Sequence, residues 1–428
     1  MSASIVERDD MHFTVQVQIS YKKTMLDFEE SIQSAINEVG LVSTKEALSQ
    51  FDTDGSPIIM GTNKYTSKGR ETKVYQTPYG AINIDRHVYQ GSKGGRTHCP
   101  LDTSARIVVS STPKFAKMVS SKYADLGASR VSSDLEENHG RKVARCFIQD
   151  ISEAVSVVVS AKEQSWEYVL PKMEKAVKTV SIGMDGTCML LCDDGYREAM
   201  VGTIAFYDKD GDRQHTTYMA ATPEYGKDTF LGRFEKEILK VKKRYPKVAY
   251  VGVADGAKCN WSFLKRYTDT QTIDFWHVTE YLGKAANVMF RGKRKAAEKE
   301  EWLDEACHKL KHSVGSATRL LKEIEAFTDS HDLSKEKRSV IESTITYFRN
   351  NKDKMKYAQS AKKNFPIGSG VTEAACKVIV KQRLCGSAMK WKEKGAAAVL
   401  SLRCINYSAG KWQQFWKKIN QFGLPVAV

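Results

Sequence analysis

The chain has 428 residues, 41% hydrophobic and 27% charged, which is enough apolar material for two or three domains and too much for a disordered chain. Lysine and arginine number 66 against 51 acidic residues, and the net charge of +15 points to a polyanionic partner. No apolar run reaches the ~18 residues of a membrane span, and no apolar stretch near the N-terminus marks a secretory leader. Nine cysteines without a CxxC pair argue against a disulfide framework or a zinc ribbon, and for a reducing cytoplasm.

In chain order, VQVQI at 15–19 alternates like a strand. Residues 25–40 have helical spacing through Leu26, Ile32 and Ile36, with Gly40 as the stop. Residues 50–70 read as a Gly/Ser/Thr/Lys-rich connector. TKVYQTPYGAINIDRHVYQG alternates about Pro78 and Gly80 and predicts a β-hairpin, followed by HCPLD at 98–102. Thr112-Pro113 opens a helix. At 132–152, Ser133 precedes one helix, Gly140 ends a turn and a second helix begins at Arg141, the spacing of a helix-turn-helix. Arg141 and Lys142 are its candidate DNA contacts, with plain helical packing as the alternative.

Residues 178–290 are the most informative. KTVSIGMDGTCMLL, REAMVGTIAFYD and RQHTTYMAA read as strands separated by Asp193-Asp194-Gly195 and Asp210-Gly211 turns. An amphipathic helix carries Phe230, Phe234, Ile238 and Val241. KVAYVGVADG is a strand apolar on both faces. CNWSFLKRY is a short helix, TIDFWH a fifth strand, and VTEYLGKAANVMF begins a long helix. Three antiparallel strands followed by parallel α/β units is the order of the ribonuclease H-like fold. Residues 291–360 are charged and helical, with an inter-helix loop from Asp329 to Ser334. PIGSGVTEAACKVIVKQRL is a Gly-rich loop opening a helix, and KEKGAAAVLSLRCIN is another helix.

The fold class expected is α/β (α+β). It comprises a ribonuclease H-like mixed five-stranded sheet with a helical insertion, plus an N-terminal β-hairpin and a helical DNA-binding region. The corresponding spans are 1–70 of unknown role, 71–177 with the hairpin and helix-turn-helix, 178–290 as the first part of the core, 291–360 as the insertion, and 361–428 as the second part with a basic tail.

Asp185 lies on the first strand of that core, and Asp255 at the C-terminal end of the fourth. Sites in such sheets form at the carboxyl ends of strands. Neighbouring carboxylates repel unless a cation lies between them, and hard oxygen ligands suit Mg²⁺ or Mn²⁺. Each aspartate precedes a glycine, so each also reads as a turn former. Glu373 follows Gly368-Ser369-Gly370 in the first turn of a helix, where the dipole favours a carboxylate. Lys377 and Lys381 follow at steps of four on the same helical face.

Residues 352–418 hold fifteen basic residues against Asp353, Glu373 and Glu393, with Trp391, Trp412 and Trp416 interleaved. A basic segment with aromatics is a footprint for a phosphate backbone, or else a solvated helical surface. Lys390 and Trp391 fall within it. Trp391 reads either as a stacking platform for a DNA base or as core packing.

The segments SIGMDGT, VADGA, DFWHVTEYL, PIGSGVTEAACK, QRLCGSAMKW and GAAAVLSLR, in that order, resemble bacterial insertion-sequence transposases of the ISKra type, as does HCPLD upstream. The resemblance spans about residues 70–418, and PIGSGVTEAACK is its most specific part. It implies a DDE transposase whose catalytic and metal-binding residues are Asp185, Asp255 and Glu373. It further implies two Mg²⁺ (or Mn²⁺) ions per active site, with Asp185 bridging both, and in-line displacement of a DNA phosphoryl group. Asp274 to His277 matches a D-x-x-H motif of related transposases, so His277 would orient a DNA phosphate, or else be a hydrogen-bonded histidine at a strand end. Asp274 is the rival to Asp255 as a ligand. Lys377, Lys381 and Arg383 would neutralise backbone phosphates. The partners implied are double-stranded DNA, as transposon ends and target, and further copies of the chain in a dimer or larger assembly. No membrane partner is expected, and the location implied is the bacterial cytoplasm at the nucleoid. The rival functions are a catalytically silent DNA-binding protein and a nuclease of the same fold.

His308 and His312 have zinc-compatible spacing but no third ligand in sight. DTDG at 52–55 and DKDGD at 208–212 lack the terminal Glu of a calcium loop and read as turns. Cys188 and Cys192 read as buried small hydrophobes, and His98-Cys99 as structural.

Overall fold

The computed structural model describes residues 3–163, 165–224 and 226–425. The chain divides into two compact units: Met1–Val169 with Ala397–Asn406 and Gly410–Val428, and Leu170–Ala396 with Tyr407–Ala409. No helix among the described residues is long and apolar enough to cross a membrane.

In the first unit, β1 (Ser4–Arg8) pairs antiparallel with β2 (Phe13–Gln16), and α1 (Met25–Ser49) follows. This helix runs straight through Gly40, where the sequence predicts a stop. The Tyr79 ring lies against Gly40, and a Cβ there would overlap it. That glycine is therefore a place of close approach rather than a cap. A three-stranded antiparallel sheet follows, β3 (Ile58–Met60), β4 (Asn63–Gln76) and β5 (Ala81–Gly91). The expected connector at 50–70 is thus strand from Asn63 onward. Its polar residues pair with β5 from Tyr65 opposite Gly91, across a bulge between Ser67 and Arg70. The hairpin turn falls where Pro78 and Gly80 place it, closed by Thr77 N donating to Gly80 O at 2.9 Å.

The helices α2 (Pro100–Ser104), α3 (Pro113–Asp125), α4 (Ala128–His139) and α5 (Arg145–Lys162) complete this stretch. Pro113 occupies the first turn of α3 after Thr112, as expected. The expected helix-turn-helix differs in its boundaries. Ser133 lies inside α4, whose N-cap is Gly127, and Gly140 ends it in the left-handed region. The next helix starts at Arg145, not Arg141. Arg141 is buried, donating from Nε to Thr77 O at 3.2 Å and from Nη2 to Gln76 Oε1 at 2.7 Å, with its guanidinium 5.4 Å from the Phe115 ring centroid. It ties the hairpin to α3 and does not present its charge to DNA. Lys142 is exposed.

In the second unit, β6 (Thr179–Leu191), β7 (Gly195–Tyr207) and β8 (Arg213–Ala221) form an antiparallel meander. Then come α6 (Asp228–Arg244), β9 (Ala249–Ala254), α7 (Lys258–Leu264), β10 (Thr270–Ile273) and α8 (Phe275–Met289). The five strands make one mixed sheet in the order β10-β9-β6-β7-β8, with β9 parallel to both β6 and β10. The buried Phe230, Phe234, Ile238 and Val241 of α6 join Ile182, Met200 and Ile204 of the sheet in one apolar core. The fifth strand ends at Ile273. Asp274 caps α8, so His277 lies in the first helical turn rather than at a strand end.

Three helices follow, α9 (Ala296–His312), α10 (Ser316–Ser330) and α11 (Lys335–Asn351), then α12 (Tyr357–Lys362). The segment after the Gly-rich loop is α13 (Gly370–Ala375), a π-helical stretch (Cys376–Lys381) and α14 (Gln382–Leu384). The last helices are α15 (Glu393–Tyr407), which carries residues of both units, and α16 (Lys411–Phe422) of the first. Trp412 and Trp416 of α16 are buried, so these two aromatics serve a core and not a DNA face. Cys188 and Cys192 are exposed, contrary to the expectation from their small size.

Candidate active site

The site is built on two adjacent parallel strands. Gly183 of β6 faces Val253 of β9, and two residues further along each strand the chain reaches an aspartate, Asp185 on one and Asp255 just past the other. Parallel neighbours lie ~4.8 Å apart, so matched offsets bring the two carboxylates to one end of the sheet. Asp255 Oδ1 accepts from Ala257 N at 3.2 Å and from Asn260 Nδ2 at 3.4 Å. The same amide reaches Met184 O at 3.4 Å, tying the loop of one acid to the strand of the other. Asn260 is buried, and nothing in its spacing from Asp255 announces the role.

Asp185 accepts from Gly186 N at 2.7 Å. Its carboxyl is pushed above the ordinary aspartate range, first by burial and then by the charges of Asp255 and Glu198. Glu198 is an acid the sequence analysis did not single out. It lies on β7 with its side chain against Gly186 of β6, where a Cβ would overlap its carboxylate, and it pairs with Lys227 at 3.0 Å.

The third acid arrives on a helix. Gly183 has no Cβ because Thr372 Oγ1 occupies that space. Thr372 Oγ1 also lies 2.7 Å from Thr203 Oγ1 on β7, so α13 is seated on the sheet beside Asp185. Cys376 Sγ then reaches Asp185 Oδ2 at 3.7 Å. Burial and the charge of Asp185 push the Cys376 thiol well above its ordinary value, so it stays protonated and serves as a donor. Glu373 is exposed and accepts from Ser369 Oγ.

Ser369 links Glu373 to Asp274. The buried Asp274 carboxylate accepts from His277 N at 2.8 Å through Oδ1, and from Ser369 N at 2.5 Å and Ser369 Oγ at 2.9 Å through Oδ2. Ligand atoms of Asp274, His277 and Glu373 all lie within 4.8 Å of one another, whereas Asp185, Asp255 and Glu373 together do not close to that spacing. A hydroxyl has one hydrogen, so Ser369 donates to only one carboxylate at a time and the cluster is one donor short. Asp274, His277 and Glu373 thus offer three ligand atoms at a spacing a divalent cation would accept, while Asp185 and Asp255 are near enough for the charge of one to raise the carboxyl of the other. Asp274 caps α8 and holds Ser369, and it is also one of the three residues whose ligand atoms converge, so it stays a rival to Asp255 as a ligand.

The predicted DNA contacts separate into two groups. Lys377, Lys381 and Lys390 are exposed, and His277 is partly so, 3.5 Å from Glu280. The π-helical stretch changes the phase of the helix, so Lys377 and Lys381 do not continue the face of Glu373 at regular steps of four. Arg383 is buried, with its guanidinium 5.1 Å from the Trp391 ring centroid. Trp391 Nε1 donates to Leu384 O at 3.0 Å, and its backbone bridges to Leu191 at the end of β6. These two residues fasten the segment after α14 to the sheet, and neither offers DNA a free charge or a free ring N–H.

The other candidate clusters resolve simply. Asp208, Asp210 and Asp212 converge in the turn after β7, with Lys175 Nζ within 3.0–3.5 Å of all three as their counter-ion. The rings of His308 and His312 lie 4.7 Å apart, tilted by 39°, and no third ligand joins them among the described residues. No family model matches the chain, and no curated protein matches it.

Proposed function

We propose that this chain is a DNA transposase of the DDE type with a ribonuclease H-like core, binding the inverted repeats of its element and cutting and joining DNA strands. The observation that carries the reading is the pair of aspartates at matched offsets on adjacent parallel strands, Asp185 and Asp255, with the Glu373 helix seated on the same strand through Thr372 and Gly183. The strand order β10-β9-β6-β7-β8, with one antiparallel meander and two parallel additions, supports the ribonuclease H-like assignment.

Asp185, Asp255 and Glu373 are the residues that hold divalent cations in this reading. Mg²⁺ or Mn²⁺ bound there supplies activation of water or a DNA 3′-hydroxyl and stabilisation of the leaving 3′-oxygen. The chain's own residues do the positioning. Asn260 aims the Asp255 carboxylate, Cys376 donates to Asp185, and Ser369 orients Glu373. The exposed Lys377, Lys381 and Lys390 hold backbone phosphates.

The test uses purified protein, Mg²⁺ and a plasmid carrying the gene's native flanking DNA, with Asp185→Ala beside wild type. Wild-type cuts at inverted-repeat boundaries, absent in the variant, are expected. Binding of the flanks without a cut under Mg²⁺ or Mn²⁺ favours the silent DNA-binding protein. Scattered cuts favour the nuclease.

A further inference from the structure

Tyr347 lies on α11, outside every motif the sequence analysis singled out. Its ring stacks on Tyr281 of α8, with centroids 3.9 Å apart and planes 11° from parallel. A Cβ on Gly256 would stand 3.1 Å from Tyr347 Cε2 and 3.9 Å from its hydroxyl oxygen. The hydroxyl is thus packed beside the residue that follows Asp255. It is buried and has no hydrogen-bond partner among the described residues. A buried polar group without a partner lowers stability, and such groups gather where function requires them. A second one is Trp261 Nε1, and Trp261 and Tyr347 both line a cavity of about 760 Å³ together with Gly256, Tyr281, Lys258 and Lys354. Burial first, then the neighbouring Tyr281, Asp255, Asp274 and Glu280, keep the Tyr347 phenol protonated. The cavity runs past Gly256, the residue next to Asp255, and the phenolic O–H buried behind its lining has no acceptor.

We propose that Tyr347 is a further catalytic residue of the Asp185–Asp255 site, donating a hydrogen bond from its hydroxyl to an oxygen of the DNA phosphodiester held at Asp255. The proposal rests on the phosphoryl-transfer reading above. No bond forms to Tyr347 and its proton does not leave; the hydroxyl is a fixed donor aimed where negative charge grows during displacement. The stacked Tyr281 ring holds it there, and Gly256 leaves room for it.

The test is a Tyr347→Phe chain, assayed with Mg²⁺ on the plasmid bearing the native flanking DNA, beside wild type, Tyr281→Phe and Asp185→Asn. The ring and its stack survive in Tyr347→Phe. Cutting is expected to slow about a hundredfold, the scale of losing one preorganised donor. Affinity for the flanking DNA should be unchanged, and Tm unchanged or higher because an unpartnered hydroxyl is gone. Tyr281→Phe keeps the stacked ring and should bind the flanking DNA like wild type. A Tyr347→Phe chain that cuts at the wild-type rate, or whose loss of cutting tracks a fall in Tm, overturns the proposal and leaves the transposase reading standing. A wild-type chain that cuts no better than Asp185→Asn overturns the reading and the proposal together.

Discussion

Asp185 and Asp255 are held by strands, whereas Glu373 is held by a helix that must be seated. The two aspartates inherit their places from a backbone ladder, Gly183 opposite Val253. Glu373 depends instead on side chains: Thr372 against Thr203, Cys376 against Asp185, and Ser369 between Glu373 and Asp274. A ladder leaves little freedom to a residue two positions beyond it. A helix seated by side chains rests on separate contacts, each of which a single substitution removes. The strand pair is the fixed half of the site, and the Glu373 helix is the adjustable half.

The largest effect should come from the fixed half. Asp185→Asn is expected to lower cutting by ~10³-fold or more, since groups that act as a unit fail together. It should also raise Tm at neutral pH. Because burial and neighbouring charge raise the Asp185 carboxyl above 3.8, the folded state holds its proton more tightly than the unfolded state. That stabilisation is full below the ordinary value and is lost as pH rises through the raised one, so the Tm gain of Asp185→Asn should be larger at pH 8 than at pH 4. Thermal melts at both pH values check the sign. Mg²⁺ should stabilise wild type at pH 8 and not the variant.

Unseating the helix should come next. Gly183→Val places a side chain where Thr372 Oγ1 lies. Overpacking of this kind costs about 1–3 kcal/mol, which urea unfolding would read. Cutting should fall further than stability accounts for, because the whole helix is displaced. An equal loss of both would erase the distinction between the fixed and adjustable halves. A smaller effect is expected from Ser369→Ala, roughly tenfold in cutting from one lost hydrogen bond to a charged group, with Ser369→Thr restoring most of it.

The smallest effects separate the exposed lysines from the packed arginine. Lys377→Ala should reduce the slope of log affinity against log salt by about 0.9, the signature of one phosphate contact. Arg383→Ala should leave the slope alone and lower Tm, because Arg383 is buried over Trp391. A slope change for Arg383→Ala would restore it as a phosphate contact.

These contrasts explain what was legible in the sequence. The three strands of the meander could be read because turn pairs are local, and RQHTTYMAA coincides with β8, whereas the expected fifth strand TIDFWH shares only Thr272 and Ile273 with β10. Asp255 could be placed because it follows an apolar strand directly, and Asp185 because it lies within one. The misread boundaries share one cause, a distant partner. Gly40 is helical with Tyr79 against it, and Asn63 to Arg70 are strand because β3 and β5 pair along that stretch. Arg141 and Arg383 looked like free charge until the hairpin and Trp391 enclosed them. Thr372, Ser369, Asn260 and Tyr347 carry no local signal, since their meaning lies in residues far off in the chain. The phase of Lys377 and Lys381 was lost to the π-helical stretch, which no spacing rule anticipates.

The most direct measurement is the rate of Mg²⁺-dependent cutting, mapped to the nucleotide on the native flanking DNA, for wild type and for Asp185→Asn, Asp255→Asn and Glu373→Gln as folded chains. Cuts at the inverted-repeat boundaries by wild type alone, with all three variants silent, are the predicted result. Boundary cuts at the wild-type rate by Asp185→Asn or Asp255→Asn would contradict the claim that the strand-held pair is the catalytic centre.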